Sequence, residues 1–238
     1  MPSLPASRVS ESPLMAWALS ALVLLIPLVY WEGLRDYILP PKILILQGFL
    51  SLPFIAWLAS GDRTFHLPPF GLPALAYLLV NTVSLLYAAD PIVGILELSK
   101  ILSGFLLFVI VANRLQLHQI PHILTIWALT GIAISLLGIV EFLGWRPINI
   151  PSAGLPSATL GYRNIAAMYL IQSIPFGLGL FVLTRSRGVE VLAGLAAALM
   201  LVFLVYTRTR GAWIGLAGAA LITLVLLLAA RKSPAAPP

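Results

Sequence analysis

Apolar runs of 15 to 22 residues recur eight times along this chain, at roughly 14–31, 43–59, 70–88, 98–112, 122–143, 164–184, 190–206 and 211–230. A helix needs about 20 residues at 1.5 Å rise to cross about 30 Å of hydrocarbon, so each run is the length of a membrane span. The expected fold is therefore all-α, a polytopic transmembrane helix bundle of about eight spans. The remaining composition agrees: 60% of residues are hydrophobic, only 9% are charged, and the mean hydropathy is +1.02. A water-soluble domain of this size does not carry that balance. The first run is too long for the apolar core of a signal peptide, lacks a small-x-small cleavage site, and is followed by further spans.

Residues 1–13 and 231–238 are polar or Pro- and Ser-containing and read as disordered tails around a transmembrane domain at 14–230. Most connections are short, which makes successive helices antiparallel neighbours. The exception is 145–163, where Pro147, Pro151, Gly154 and Pro156 break any helix and leave a loop long enough to fold over a site. Ile92–Ser99 reads as an interfacial lead-in to a short fourth span. Pro27, Pro53, Pro73 and Pro175 fall inside spans and are expected to kink them.

The net charge of +6 comes from basic residues scattered singly or in pairs, with no dense basic face, so nucleic acid is not an expected partner. With the N-terminus inside, Arg8, Arg63, Arg114, Arg185, Arg187, Arg231 and Lys232 fall on the inner side. Arg35, Lys42, Lys100, Arg146, Arg163, Arg208 and Arg210 fall on the outer side, seven against seven. The positive-inside rule does not separate these sets. The tightest basic turns, Arg185-Ser-Arg187 and Arg231-Lys232, favour cytoplasmic termini and an outer 145–163 loop.

Much catalytic chemistry is missing. There is no cysteine, no phosphate-binding Gly-x-x-x-x-Gly-Lys-Ser/Thr loop, and no paired carboxylate for a divalent metal. His118 and His122 are separated by Pro121 and read as interfacial rather than as ligands; His66 stands alone in a loop. No metal and no cofactor is expected. What remains is cationic. Arg35, Lys42, Arg146, Arg163, Arg208 and Arg210 share one expected face, and guanidinium forks suit phosphate oxygens. Asn164 follows Arg163 at the head of the sixth span, where free backbone donors also favour an anion. Taken singly, each of these cations reads as a headgroup anchor. Glu141, near the outer end of the fifth span, is expected to hold one of the outer arginines. Glu97 and Lys100 have ion-pair spacing. Gly211 and Gly215 form a G-x-x-x-G pair that would allow close helix approach.

With these residues in hand, the chain resembles the O-antigen ligase/polymerase family of bacterial membrane glycosyltransferases. Thr207-Arg208-Thr209-Arg210-Gly211-Ala212-Trp213 is similar to that family's Thr-x-Ser-Arg-Gly-Ala-Trp segment, with Thr209 in place of serine. Thr159-Leu160-Gly161-Tyr162-Arg163-Asn164 resembles its Gly-x-x-Asn segment at the start of a span. Asp36 to Lys42 resembles a short first outer loop, and Ser84 to Pro91 also fits. The resemblance covers nearly the whole chain in order.

It implies a fold of about a dozen helices in the bacterial inner membrane, of which this chain would be an incomplete version. It also implies a periplasmic site that transfers glycan from an undecaprenyl-pyrophosphate carrier without metal or nucleotide. The pyrophosphate-binding residues it implies are Arg210 and Arg163; the charge reading above adds Arg208, Lys42, Asn164 and Arg35 in support, and the catalytic residue is unknown. The family continues into a periplasmic loop bearing a histidine, then further helices. The expectation is thus a split or truncated enzyme completed by a separate C-terminal half, or a homologue without the chemistry. A lipid-linked glycan flippase or transporter, and a non-catalytic membrane subunit, are the alternatives. A transporter would favour polar residues at mid-membrane and an internal repeat, and neither is found.

Overall fold

The structure is a computed structural model and describes residues 13–59, 65–146, 148, 150, 152 and 154–232. Among these residues it is all-helical: α1 (Pro13–Leu28), α2 (Leu39–Ala59), α3 (Gly71–Ser84), α4 (Pro91–Arg114), α5 (Ile120–Phe142), α6 (Arg163–Leu183), α7 (Arg187–Thr207) and α8 (Arg210–Lys232). Residues 1–12 and 233–238 of the expected tails, with Arg8, Arg63, Pro147 and Pro151, lie outside the described residues.

Each expected span has a helix, but not every helix has the length of a span. Among the described residues, α2, α4, α5 with its preceding turn, α6 and α7 are long and apolar enough to cross a membrane. The protein is a multi-pass membrane protein. Shorter apolar stretches occupy Leu14–Leu28, Gly71–Tyr87 and Arg210–Leu226. At 1.5 Å per residue, the 16 residues of α1 reach only about 24 Å.

The helix starts differ from the sequence expectation for a shared reason: proline in a first turn initiates a helix. Ile92–Ser99 is not a separate lead-in. Asp90 caps α4, its Oδ1 accepting from the backbone N–H of Ile92 (3.0 Å) and Val93 (3.2 Å), and Pro91 opens one 24-residue helix. Asp36 likewise accepts from Ile38 and Leu39 (3.0 and 3.1 Å), and α2 begins at Leu39, four residues ahead of expectation. Pro73 lies in the first turn of α3 and is no interior kink; Pro27, Pro53 and Pro175 are interior. The helix α8 runs to Lys232, so Arg231 and Lys232 belong to it rather than to a tail.

The chain divides into two compact units, Met1–Ile126 and Trp127–Pro238. In the first, α1 pairs with α2, α2 with α4, and α3 with α4. Met15, Leu19 and Leu22 form one helical stripe of α1 and bury against Leu50 of α2 and Ile110 of α4. At the end of α4, Arg114 lies over the Trp57 ring, 4.7 Å from its centroid, and Asn113 Oδ1 accepts from the backbone of His66 at 2.8 Å. The Glu97–Lys100 ion pair forms on α4.

In the second unit α6 and α7 make the main pair. Ala166, Ala167, Leu170, Ser173 and Ile174 of α6 are buried, as are Ala193, Ala196, Ala197, Met200 and Phe203 of α7. Small side chains let the two backbones close, which is what drives association where lipid competes equally for apolar surface. The α5 segment joins through Trp127, whose indole N–H donates to Ser173 Oγ at 2.9 Å, and through two glycines. A Cβ at Gly131 would lie 2.8 Å from Met200 Sδ, and one at Gly138 would lie 2.0 Å from the Phe203 ring. Among the described residues the expected G-x-x-x-G contact is not made: nothing comes within 4 Å of a Cβ built at Gly211 or Gly215. On α5 the close-approach glycines, Gly131 and Gly138, face side chains of α7, and on α6 a Cβ at Gly177 would lie 3.3 Å from Met200 Cε.

Candidate functional site

The expected cationic face divides between the two units. In the second unit it is built from the end of α5 upward. The α5 C-terminus closes with Gly144 at φ 91°, a conformation that favours glycine. Trp145 N–H donates to Val140 O (3.2 Å) and Gly144 N–H to Glu141 O (3.1 Å), the paired bonds of a glycine-terminated helix.

Among the described residues the Glu141 side chain holds no arginine. Its Oε2 accepts from the backbone N–H of Ser157 at 2.6 Å and of Ala158 at 2.9 Å. Ser157, Ala158, Thr159 and Leu160 are all buried, so these donors are shielded from water and need an acceptor. A carboxylate is the strongest available. The long connection is thus anchored at its centre. It is anchored again at its end, where Ser152 Oγ donates to Gly161 O (3.1 Å) and Arg163 N–H donates to Gly154 O (2.9 Å). Beneath it, Glu141, Arg146 and Ala158 line a cavity of about 20 Å³, room for a water rather than a substrate.

Arg163 and Asn164 are the first two residues of α6, and both are exposed. Thr209, in the corner between α7 and α8, donates through Oγ1 to Asn164 Oδ1 at 3.2 Å. That bond ties together segments 45 positions apart. Arg208 ends α7 in a left-handed conformation (φ 53°, ψ 28°). Its guanidinium carbon lies 5.7 Å from the centroid of Phe142, which stacks on Tyr206 at 4.2 Å and 5°. Arg210 opens α8. Arg163, Arg208 and Arg210 are exposed, and none has an acidic partner among the described residues. The structure therefore brings Arg163, Asn164, Arg208 and Arg210 to one end of the second unit.

Arg35 and Lys42 belong to the first unit. Arg35 is exposed in the α1–α2 connection. Lys42 Nζ donates to Pro27 O at 3.4 Å, so it serves the carbonyl end of α1, where a cation is favoured. All three histidines also belong to the first unit. No group of three or more metal-ligating side chains occurs among the described residues.

Comparison with protein-family models, with curated proteins and with solved structures finds no match to this chain. The chemistry of the site follows from its residues: three guanidinium groups with no acidic partner among the described residues, beside a helix N-terminus, favour a phosphate-bearing anion. Sequence reasoning did not find Thr209 as the bridging donor or the Phe142–Tyr206 platform. Two aromatics at span ends were a signal for the platform. No sequence signal connects Glu141 to backbone donors 16 and 17 residues on.

Proposed function

We propose that this protein binds a glycan carried on undecaprenyl pyrophosphate at the outer face of a bacterial inner membrane and takes part in its transfer, as an O-antigen ligase-like protein. The termini are then cytoplasmic and the Glu141-anchored connection periplasmic. The observation that carries the reading is the Thr209–Asn164 hydrogen bond, which gathers Arg163, Arg208 and Arg210 at one end of α6–α8. Exposed arginines at closely packed helix ends favour an anionic lipid headgroup. When the glycosidic bond breaks, the departing pyrophosphate gains negative charge. Fixed guanidinium groups stabilise that charge without a metal.

The test is carrier binding by purified protein in nanodiscs. Charge-assisted hydrogen bonds contribute about 1.5–3 kcal/mol, so Arg210→Ala and Arg163→Ala should each weaken binding roughly 10- to 100-fold. Arg210→Lys retains charge but loses the bidentate fork and should fall between. Thr209→Val should weaken binding, and Thr209→Ser should restore it. Folded Arg210→Ala and Arg163→Ala proteins that bind as wild type would return the arginines to helix anchoring. Movement of the carrier across proteoliposomes by this chain alone would assign the flippase role instead.

A further inference from the structure

We infer that the lipid-facing stripe of α6 pairs with the same stripe of a second copy of this chain, held at its centre by Gln172. The buried residues of α6, among them Ala166, Leu170, Ser173 and Gly177, serve the second unit's own core. Away from them Ile165, Met168, Gln172, Pro175 and Val182 are exposed, and Gly179 is half-buried. These six positions follow one another at steps of three, four, three, four and three residues. That alternation is the a/d spacing of a helix pair, which keeps one seam facing a partner along the whole helix. Nothing lies within 4 Å of a Cβ built at Gly179, so the seam has an open place for backbone approach.

Gln172 decides what covers the stripe. It follows Arg163 by nine positions in the 21-residue α6, a rise of about 13.5 Å, which places it near the middle of the hydrocarbon. Water is absent at that depth, so a carboxamide must find its hydrogen bonds in protein. The other carboxamides of the spans have theirs. Gln47 donates to Ser99 and Ser103, Asn81 to Tyr77 O and Asn113 to Val109 O, while Asn164 accepts from Thr209. Gln172 is exposed and forms no hydrogen bond among the described residues. The complement of a carboxamide is a group that both donates and accepts, and a second Gln172 is one. Copies inserted the same way round are related by a two-fold axis along the membrane normal. Their α6 helices then run parallel, and each residue is level with its own counterpart. Gln172 meets Gln172, each Nε2 donating to the other Oε1. A single amide among apolar seam residues fixes register and pairing, which Met168 and Val182 alone would not. This face is separate from the arginine end, so the pairing stands or falls apart from the anion reading.

The chain has no cysteine, so single cysteines report the pairing directly. Met168→Cys and Val182→Cys, each with Gln172 kept, should form disulfide-linked dimers when the purified full chain is oxidised in proteoliposomes at low protein-to-lipid ratio, because a disulfide needs Cα atoms within about 7 Å. Ile222→Cys, 62% exposed on α8, should not. Gln172→Leu in the Met168→Cys chain should weaken dimerisation about tenfold, read as the lipid dilution at which half the dimer is lost. Gln172→Asn keeps an amide and should retain most of the dimer. Leucine at this exposed position leaves the buried core untouched, so the Tm of the monomer in detergent should not change; a fall in that Tm would assign the amide to the chain's own packing and overturn the pairing. Dimers from Ile222→Cys as abundant as those from Met168→Cys would mean random collision and overturn it as well. So would dimers that Gln172→Leu does not weaken. Wild-type protein that stays monomeric by single-molecule photobleaching at every dilution would give Gln172 to a different helix and refute the second copy.

Discussion

Gly138→Ala adds a single methyl group, and the structure says where it goes. The new Cβ would lie 2.0 Å from both Cε2 and Cζ of Phe203, and 2.6 Å from Cδ2. Carbon atoms rest at about 3.5–4.0 Å, so the ring must retreat by roughly 1.5 Å. Phe203 is fully buried, and its neighbours Met200 and Leu204 on α7 are buried as well, so no open space receives it. Overpacking of this kind costs about 1–3 kcal/mol, and outright expulsion of a phenylalanine costs about 3–5 kcal/mol. At about 2–4 °C per kcal/mol for a chain of this size, the overpacking cost should lower Tm by roughly 2–12 °C in detergent micelles, followed by tryptophan fluorescence. Two comparisons isolate the cause. Gly179→Ala on α6 has nothing within 4 Å of its new Cβ and should leave Tm unchanged or slightly raised. Phe203→Leu combined with Gly138→Ala should recover part of the loss, giving a favourable coupling of about 1–3 kcal/mol. Equal Tm values for Gly138→Ala and Gly179→Ala would refute the packing of α7 on that face of α5.

Three further outcomes follow. Glu141→Ala leaves the buried N–H groups of Ser157 and Ala158 without their acceptor, at about 1–3 kcal/mol each, so proteolysis within 145–163 should accelerate and Tm should drop; unchanged proteolysis would mean the carboxylate does not anchor the loop. Asp90→Ala removes the cap of α4 and should cost about 0.5–2 kcal/mol, while Asp90→Asn should retain most of the stability, both read by thermal unfolding. Trp145 is 68% exposed in a chain with no cysteine, so Trp145→Cys should react with a membrane-impermeant maleimide in intact cells; reaction only after lysis would reverse the orientation.

Hydrophobic run length placed all eight helices, because lipid imposes that pattern on every apolar segment alike. Helix ends were less legible. Spans were expected to start at 43 and 98, whereas Pro40, Pro41 and Pro91 sit in first turns and start their helices earlier; the deciding caps at Asp36 and Asp90 are local contacts of a single oxygen. Close approach was assigned to Gly211 and Gly215 on spacing alone. Between α5 and α7, Gly131 and Gly138 carry it, because the side chains of Met200 and Phe203 face them. The cationic cluster was half legible. Charge and helix-end position marked Arg163, Arg208 and Arg210, but their convergence depends on the Thr209–Asn164 bond between distant segments. Lys42 carried the same charge signal, yet its hydrogen bond runs to the carbonyl of Pro27.

The alanine seam between α6 and α7 also sets a timetable. Only Thr184, Arg185 and Ser186 connect the two helices, so their contacts are local in sequence and cost little loop entropy to make. The ribosome delivers α5 first, and Gly131 and Gly138 are already in the bilayer when Met200 and Phe203 emerge. The α6–α7 hairpin therefore closes during synthesis, before α8 exists. The arginine end can form only after that hairpin, because Thr209 and Arg210 follow α7 in the chain and the bond to Asn164 waits for them.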